Sequence, residues 1–390
     1  MRRNVGGTVR LAAVALLASA ALITACAPST GGPGGPGGPG TGRQLMRVLS
    51  GNPLVPTDAF GGPQRAMSAD FSRSAVLIPP PAGSWVTQIG VWDEATGTTT
   101  QLTNLDADTF ALGQPYMTAD GSTIFYLQNS SKIDPYDLAD QERGVFRLDV
   151  ATGAISPVSF GNGPGILDYA IDGDGDVVLA KNGWTVAASI GGVLTTLGTG
   201  TVNGTQYAVH AQSLSTNGRF AAIATSTPIG GGLQQAGITV FDLQLGTVHA
   251  AWTGPTRPWN PQIIASPHDF ILRIGGTTDD GSVVFTQGLG GPLQLLDGTT
   301  GTTAPTVVSD AFVDASSWNG RHVLFRGPAS IDHDEQTLDL QTGSVDDAHL
   351  EPTLAGNWTS VGVSDDGERI LLYGTDANHV QGYYLWERYS

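Results

Sequence analysis

Cysteine and lysine are nearly absent from this chain of 390 residues. Its only cysteine is Cys26, and its only lysines are Lys132 and Lys181. With one cysteine, no disulfide can form within the chain, and a site built from several thiolates is excluded. The stability of a folded domain must therefore come from its apolar core and its sheets, and a chain of this length can bury enough surface for that.

Positive charge is also scarce. There are 18 lysine and arginine residues against 35 aspartate and glutamate residues, a formal net charge of −17. If Arg2, Arg3 and Arg10 are removed with a leader, the balance becomes 15 against 35, or −20. Nucleic acids and anionic lipids carry the same sign as this excess, which opposes binding to either. We therefore expect no nucleic-acid partner.

The usual short signatures of catalysis are missing too. No Gly-x-Ser-x-Gly nucleophile elbow occurs, and the seven histidines show neither a His-x-His nor an HExxH spacing. The glycine-rich stretches at 161–165 and 230–232 are not followed by a helical pattern or a Lys-Ser/Thr pair. They predict loops rather than phosphate cradles. No catalytic residue and no cofactor is predicted.

What the chain has in abundance is a repeated turn of the form Ser/Thr-x-Asp/Asn-Gly, each followed by a short apolar run. Copies begin at Thr118, Asp172, Ser215, Thr278, Ser317 and Ser364, and a degenerate copy without the glycine begins at Ser68. Asp-Gly and Asn-Gly supply the positive φ that a tight turn needs, so each copy predicts a β-hairpin.

A second repeated element follows the first. It is an alternating strand that ends in a glycine turn, with glycines at Gly97, Gly153, Gly246, Gly301 and Gly343. Two hairpins per unit give four antiparallel strands, which is the blade of a β-propeller. Seven units are present, so the sequence predicts an all-β, seven-bladed β-propeller. A β-sandwich is the rival all-β fold, but it has no reason to repeat both turns seven times.

The seventh unit lacks one strand at its end. An orphan alternating segment precedes the first unit, and we predict that its residues 45–50 pair with residues 382–388. This pairing would supply the missing outer strand and remove a free sheet edge.

Ser-x-Asp-Gly before one strand and Leu-Asp-x-x-Thr-Gly after the next, as at 364–367 and 338–343, resemble the WD40-like PD40 propellers of the TolB type. The resemblance covers roughly residues 45–390 and implies the propeller fold. The chain departs from TolB because no separate domain fits between the leader and the first blade, so the resemblance implies no TolB-like role.

The amino terminus predicts a location. Three arginines precede an apolar run at 11–25, which is too short to span a bilayer and is typical of a signal peptide. The run ends Leu-Ile-Thr-Ala-Cys26, and small residues before a lone cysteine resemble the lipobox of bacterial lipoproteins. The resemblance implies cleavage before Cys26, acylation of its thiol, and anchoring on the extracytoplasmic side of the cell membrane. The alternative is an ordinary secretory signal with an incidental cysteine.

The predicted organisation has three parts. Residues 1–25 form the lipoprotein signal peptide, residues 26–43 contain the lipidated cysteine and a Gly/Pro-rich tether, and residues 44–390 form the propeller. The Gly-Gly-Pro repeats of the tether cannot pack a core, so we expect a disordered spacer.

Strand order predicts where a partner would bind. With the strands of a blade labelled A to D from the axis outward, the regular A–B and C–D turns lie on one face. The B–C and D–A connections lie on the opposite face, vary in length, and include predicted loops at 225–236 and 253–268. Variable loops on a rigid framework are the usual site of recognition, so we predict that this variable-loop face is functional.

Candidate ligand-binding residues on that face are Arg257, Trp259, Asp134, Tyr136, Asp332, His333 and His379. Tryptophan and arginine often dominate the binding energy of an interface, which makes Arg257 and Trp259 the candidate anchors. The structural alternative for Trp259 is that it packs against a neighbouring blade.

Two acidic segments suggest metal ligands. Asp172, Asp174 and Asp176 resemble the start of a calcium loop, but Val177 stands where that loop needs glycine, and Gly183 stands at the acidic twelfth position. A blade turn is the preferred interpretation, and calcium is the weak alternative. At 332–335, adjacent residues of an extended segment would alternate faces, so a solvated acidic loop is preferred over a metal site.

The leading functional hypothesis is a membrane-anchored, extracytoplasmic, non-enzymatic propeller. It would act as a monomer that binds a protein, peptide or glycan of the cell envelope. The second hypothesis is an enzyme: a lyase or hydrolase acting on envelope polysaccharide, or a cofactor-dependent dehydrogenase. It predicts charged side chains from several blades at the channel mouth, with perturbed pKa values. A purely structural role would not require the long connections of the second and fourth blades.

Overall fold

A computed structural model of the chain describes residues 43–50, 65–78, 86–106, 109–130, 143–158, 160, 166, 168–181, 185–198, 201–202, 205–206, 208–231, 233–258, 272–287, 291–306, 308, 311–326, 335–347, 359–375 and 381–388. All regular elements in these ranges are β-strands. No helix in them is long and apolar enough to cross a membrane.

The strands form seven antiparallel blades, as predicted. Blade 1 has an inner segment at 65–68, bridged to the next strand at Met67 and Ser74, followed by β2 (Arg73–Ile78), β3 (Gln88–Asp93) and β4 (Thr98–Gln101), while β1 (Arg43–Ser50) precedes it in the chain. Blade 2 contains β5 (Thr109–Met117), β6 (Thr123–Ser130), β7 (Arg143–Asp149) and β8 (Ile155–Val158). Blade 3 contains β9 (Asp168–Ile171), β10 (Val177–Lys181), β11 (Val186–Ile190) and β12 (Val193–Gly198).

A two-stranded hairpin, β13 (Thr201–Val202) and β14 (Thr205–Gln206), leads into the fourth blade. Blade 4 contains β15 (Ala208–Leu214), β16 (Phe220–Gly230), β17 (Leu233–Asp242) and β18 (Thr247–Pro258). Blade 5 contains β19 (Leu272–Thr277), β20 (Val283–Gln287), β21 (Gln294–Leu296) and β22 (Thr303–Pro305). Blade 6 contains β23 (Phe312–Ser316), β24 (His322–Arg326), β25 (Glu335–Asp339) and β26 (Val345–Asp347). Blade 7 contains β27 (Thr359–Val363), β28 (Arg369–Thr375), β29 (Gln381–Arg388) and β1.

The two ends of the described chain close the ring. β1 pairs antiparallel with β29, so that Leu45 lies opposite Trp386 and Ser50 lies opposite Gly382. The predicted pairing of 45–50 with 382–388 is therefore confirmed, with one irregularity between Arg47 and Leu49.

The core lies between neighbouring blades, because each blade buries both faces of its sheet. One cluster joins Val240 of blade 4 to Ile274 and Phe285 of blade 5, and another joins Trp92 of blade 1 to Tyr383 of blade 7. This packing explains why apolar residues recur in every unit of the sequence.

The repeated A–B turn owes its shape to one side-chain hydrogen bond. In six of the seven turns the leading hydroxyl donates to the Oδ1 atom two residues later, at 2.5–2.8 Å, as Thr118 does to Asp120. The same Oδ1 accepts the backbone N–H two residues further on, as from Ser122. In all six glycine copies the fourth residue has a positive φ of 68–83°.

The C–D turns also form as predicted. Gly97, Gly153, Gly246, Gly301 and Gly343 all have a positive φ of 62–71°. The aspartate before each turn accepts backbone N–H groups of the turn, as Asp297 does from Thr299 and Thr300 at 2.8 Å. The repeated aspartates are therefore structural.

Blade 4 corrects one prediction. The segment 225–236 was expected to be a loop, but β16 runs to Gly230 and β17 begins at Leu233. β18 likewise runs to Pro258 and so includes 253–258 of the segment 253–268 that was expected to be a loop, while 259–268 lie outside the described residues. Threonine, isoleucine and glutamine favour extended backbone here, and the glycines serve only the hairpin tip.

Phe71 occupies the glycine position of the degenerate first turn. It has φ 62°, whereas the other positive-φ residues are all glycines in the described ranges. Its ring is fully buried in the cluster between blades 1 and 7, and the Arg369 guanidinium lies 5.3 Å from the ring centroid. Burial of a large ring thus maintains a conformation that costs about 1–2 kcal/mol for a residue with a Cβ atom.

We predict that Phe71→Gly destabilises the protein less than Phe71→Ala, by about 1 kcal/mol, because only glycine relieves the left-handed strain. Phe125, equally buried but in strand β6, is the matched control. There alanine should be the milder change, since glycine adds only backbone entropy to the unfolded chain. Denaturant unfolding of the four variants measures both orders, and the same order at both positions would refute the explanation.

The third blade has a carboxyl group where the other turns have a hydroxyl. Asp172 is 2% exposed, and its Oδ1 accepts the N–H groups of Gly175 and Val177 at 2.9 and 3.1 Å. The pKa of Asp172 is raised to about 7, mainly by burial and also by the neighbouring Asp174 carboxylate, against the lowering effect of these backbone hydrogen bonds. When it is protonated, Asp172 has an O–H group at the position where the other six turns have the hydroxyl of a serine or threonine.

The pKa of Asp172 predicts a pH-dependent stability. Because its folded pKa of about 7 lies above its unfolded value near 4, its contribution is complete below about pH 4 and is lost as the pH rises to about 7. Relative to the wild type, Asp172→Ser should gain stability across this window and then level off. Thr118→Ser, at the equivalent position of blade 2, should show a pH-independent difference. Unfolding curves from pH 4 to 8 test this, and parallel behaviour of the two variants would contradict it.

Candidate functional site

The two faces of the ring differ in the connections between strands that they carry. Since the strands of each blade alternate in direction, the A–B and C–D turns share one face, called here the short-turn face. The B–C and D–A connections share the variable-loop face. β1 takes the outer position of blade 7, and its first residue, Arg43, lies opposite Arg388 at the short-turn face.

Around the axis, hydrogen bonds join the turns of neighbouring blades at five junctions. Ala69 N–H donates to the Ala119 carbonyl, Ala119 N–H to Gly173, and Gly173 N–H to Thr216, at 2.7–2.8 Å. Further round the ring, the acceptors are side-chain oxygens rather than backbone carbonyls. Asp279 Oδ1 accepts the Asn217 N–H at 2.9 Å, and Asp365 Oδ1 accepts the Asn319 N–H at 2.8 Å. These bonds join the turns into a rim.

Arg65 crosses the axis just inside this rim. It comes from the inner segment of blade 1 and donates to the Leu214 carbonyl of blade 4 and to Ser316 Oγ of blade 6, both at 3.3 Å. Its guanidinium lies 4.6 Å from the Trp318 ring centroid, and Trp318 Nε1 donates to the Met67 carbonyl at 2.7 Å. Arg65 and Trp318 are 4% and 3% exposed, so together they close the channel at the short-turn end.

A small pocket lies beside Arg65 and is lined by Arg65, Tyr116, Ala170, Ile171, Ser213 and Leu214. Burial lowers the pKa of Arg65 to about 10, and Tyr116 with three nearby aspartates offsets part of that effect. Arg65 is therefore cationic at neutral pH, although both of the acceptors named above are neutral groups.

A second charged group lies on the inner strands of blades 5 and 6. Asp314 accepts two hydrogen bonds from Arg326, at 2.5 and 2.9 Å, in a bidentate ion pair. Burial lowers the pKa of Arg273, and the nearby Asp314 carboxylate offsets this shift. The enzyme hypothesis predicts charged side chains from several blades near the axis. The Asp314 carboxylate, however, is paired with Arg326.

Most of the predicted site residues lie outside the described residues. These are Cys26, Asp134, Tyr136, Trp259, Asp332, His333 and His379. The backbone of Arg257 lies in β18, opposite Gln234. Asp172, Asp174 and Asp176 come together in one turn, where Asp174 accepts the Asp176 N–H at 3.3 Å. In the described ranges, no three His, Cys, Asp or Glu residues are grouped to hold a metal ion, and calcium stays an untested prediction.

Two features of the site could not be recognised from the sequence. Arg65 stands three residues before the first turn. The only sign of its role in the sequence was a basic residue next to the apolar Ala66 and Met67. The extension of blade 4 was hidden by its glycines and proline, which are typical of loops.

Comparison with known proteins adds information on the fold. No family model and no curated protein matches the chain. A chain from a structure titled "Crystal Structure of Mitotic Checkpoint Complex" is similar, with a TM-score of 0.54 and 11% sequence identity. The match covers 98% of this chain and 99% of that chain. At this identity the likeness shows the fold alone, which is a WD40-like seven-bladed β-propeller.

The Arg65 geometry predicts a stability order. Arg65→Met should destabilise the protein by about 2 kcal/mol, because the hydrogen bonds to two blades are lost. Arg65→Lys should cost more, because an ammonium is strongly hydrated and cannot span both acceptors. Arg147→Met, at an exposed position of β7, should change stability by less than about 0.5 kcal/mol. Denaturant midpoints measure the order, and a lysine variant as stable as the wild type would disprove the cross-axis role.

Proposed function

We propose that this chain is a lipoprotein of the bacterial cell envelope whose PD40-type propeller binds a protein partner on its variable-loop face. The fold is compatible with such a role. The observation that carries the proposal is that Arg65 and Trp318 close the channel at its short-turn end, which favours the variable-loop face as the side on which a partner binds.

The described tryptophans favour a protein over a glycan. Trp92, Trp318 and Trp386 are at most 4% exposed. Trp252 is half-buried and packs on Phe285, with ring centroids 4.8 Å apart. Glycan recognition commonly needs an exposed aromatic face. The first three rings offer none, and the fourth is partly covered by Phe285.

The position of β1 supports an orientation. The tether at residues 27–42 joins the propeller at Arg43, which belongs to the short-turn face. Those residues reach at most about 55 Å when extended and about 22 Å as a glycine-rich coil. A lipid on Cys26 would thus hold the short-turn face toward the membrane and leave the variable-loop face turned outward.

The anchor is tested at Cys26. Cys26→Ser should abolish labelling by palmitate and move the protein from the membrane fraction to the soluble fraction, because no other thiol is present. Ser29→Ala, three residues away, should keep both labelling and fractionation unchanged. Membrane retention of an unlabelled Cys26→Ser protein would show that the anchor is not a lipid at this residue.

The partner is tested by affinity capture from envelope extract under matched conditions. A double variant, Arg257→Ala with Trp259→Ala, should weaken binding of the captured protein by about 30-fold or more, the loss of one interface hot spot. Leu245→Ala changes an exposed residue of the short-turn face and should leave binding intact. If no protein is retained, or if the Leu245 variant alone loses it, the assignment of this face fails.

A further inference from the structure

We infer that the pocket beside Arg65 binds a chloride ion, which serves as the counter-ion of the buried guanidinium. The pocket lies near the axis of the ring, at the end that Arg65 and Trp318 close. The inference goes beyond the proposed function, because it concerns what completes the centre of the ring and holds whether or not a partner binds on the variable-loop face.

Arg65 is a buried cation that no carboxylate contacts. It is 4% exposed, and its acceptors, the Leu214 carbonyl and Ser316 Oγ, are both neutral. Among the described residues, no aspartate or glutamate lies within ion-pair distance of its guanidinium. A buried charge is costly unless a charge of the opposite sign compensates it, so an anion beside Arg65 would stabilise the folded protein.

Two residues that line the pocket have buried polar atoms without a hydrogen-bond partner in the described part of the chain. These atoms are Arg65 Nε and the Oγ of Ser213, a residue of β15 that is 1% exposed. An arginine Nε–H can only donate, and a serine hydroxyl can donate as well as accept. The pocket thus presents two donors beside a positive charge, and an anion accepts from both.

The size of the pocket restricts the anion to a monatomic one. The cavity volume is about 10 Å³, which is the room that one water-sized occupant needs. Ala170, Ile171 and Leu214 supply apolar walls. Phosphate, sulfate and a peptide carboxylate each have several heavy atoms and are too large. A water molecule fits, but it leaves the charge of Arg65 uncompensated, whereas chloride compensates the charge and accepts both hydrogen bonds.

Three aspartates act on Arg65 from a longer range. The charges of Asp172, Asp279 and Asp365 offset part of the effect of burial on the pKa of Arg65. Asp279 and Asp365 accept N–H groups of neighbouring turns, and Asp172 accepts those of its own turn, so all three hold the rim. Their charges also oppose a second anion. We therefore expect chloride to bind weakly and to exchange with the solution.

The test measures unfolding of the full-length protein in detergent by urea, which adds no chloride. Sodium chloride replaces sodium gluconate at constant ionic strength, and gluconate is too large for the pocket. A ligand that binds only the folded state multiplies the folding constant by one plus the ratio of its concentration to its dissociation constant. We expect this constant to rise about tenfold as chloride increases from about 5 to about 500 mM. Equal stability in both salts would overturn the inference and would indicate water as the occupant.

Two serine variants locate the effect. In gluconate, Ser213→Ala should be at least as stable as the wild type, because a buried hydroxyl without a partner is removed. In chloride it should lose most of the tenfold gain. Ser360→Ala removes an equally buried hydroxyl without a described partner from β27, outside the pocket lining, and should keep the full chloride response. A response that survives in Ser213→Ala, or that Ser360→Ala also loses, would refute the site.

Bromide gives a direct readout of position, because it has the same charge as chloride and scatters X-rays anomalously. Crystals of the protein grown in sodium bromide should show an anomalous peak within hydrogen-bond distance of Arg65 Nε and Ser213 Oγ. The peak should be absent in crystals of Ser213→Ala and present in those of Ser360→Ala. Peaks confined to the outer surface of the ring would contradict the inference.

Discussion

The hydrogen bond from a hydroxyl to a carboxylate or amide oxygen in the A–B turn is the constraint on which the rest of this structure depends. In six of the seven blades it fixes where the inner strand ends. Hydrogen bonds between the turns of neighbouring blades then form the rim at five junctions. Inside this rim a single residue, Arg65, reaches acceptors on two other blades. The closed end of the channel therefore depends on the geometry of a four-residue turn.

Sequence periodicity predicted the fold because both repeated turns have a local physical cause. Glycine at a positive φ and a short polar side chain that binds its own backbone need no information from distant residues. The closing pair of strands was also predictable, since the seventh unit lacked a strand and an alternating segment was left over. Phe71 was a different case, because the missing glycine was visible, while the burial that maintains its strained conformation was not.

The site was far less predictable than the fold. Arg65 reaches acceptors that are distant in the chain, and no local pattern encodes such a contact. The extension of blade 4 was mistaken for loops because Pro228 and three glycines dominate its tip, and the alternation that marks a strand is weak among threonine, glutamine and alanine. Local composition reports the preferences of single residues, whereas a surface that binds is assembled from several strands.

The pairing of β1 with β29 has a consequence for biogenesis. The strand made first must wait for one of the last to be made before it can bury its edge. During synthesis the ring therefore stays open between blades 7 and 1, and this contact, between residues distant in the chain, forms last. The last blade can be completed only after almost all of the described strands have been made, so the closure of the ring limits the order in which its interfaces form.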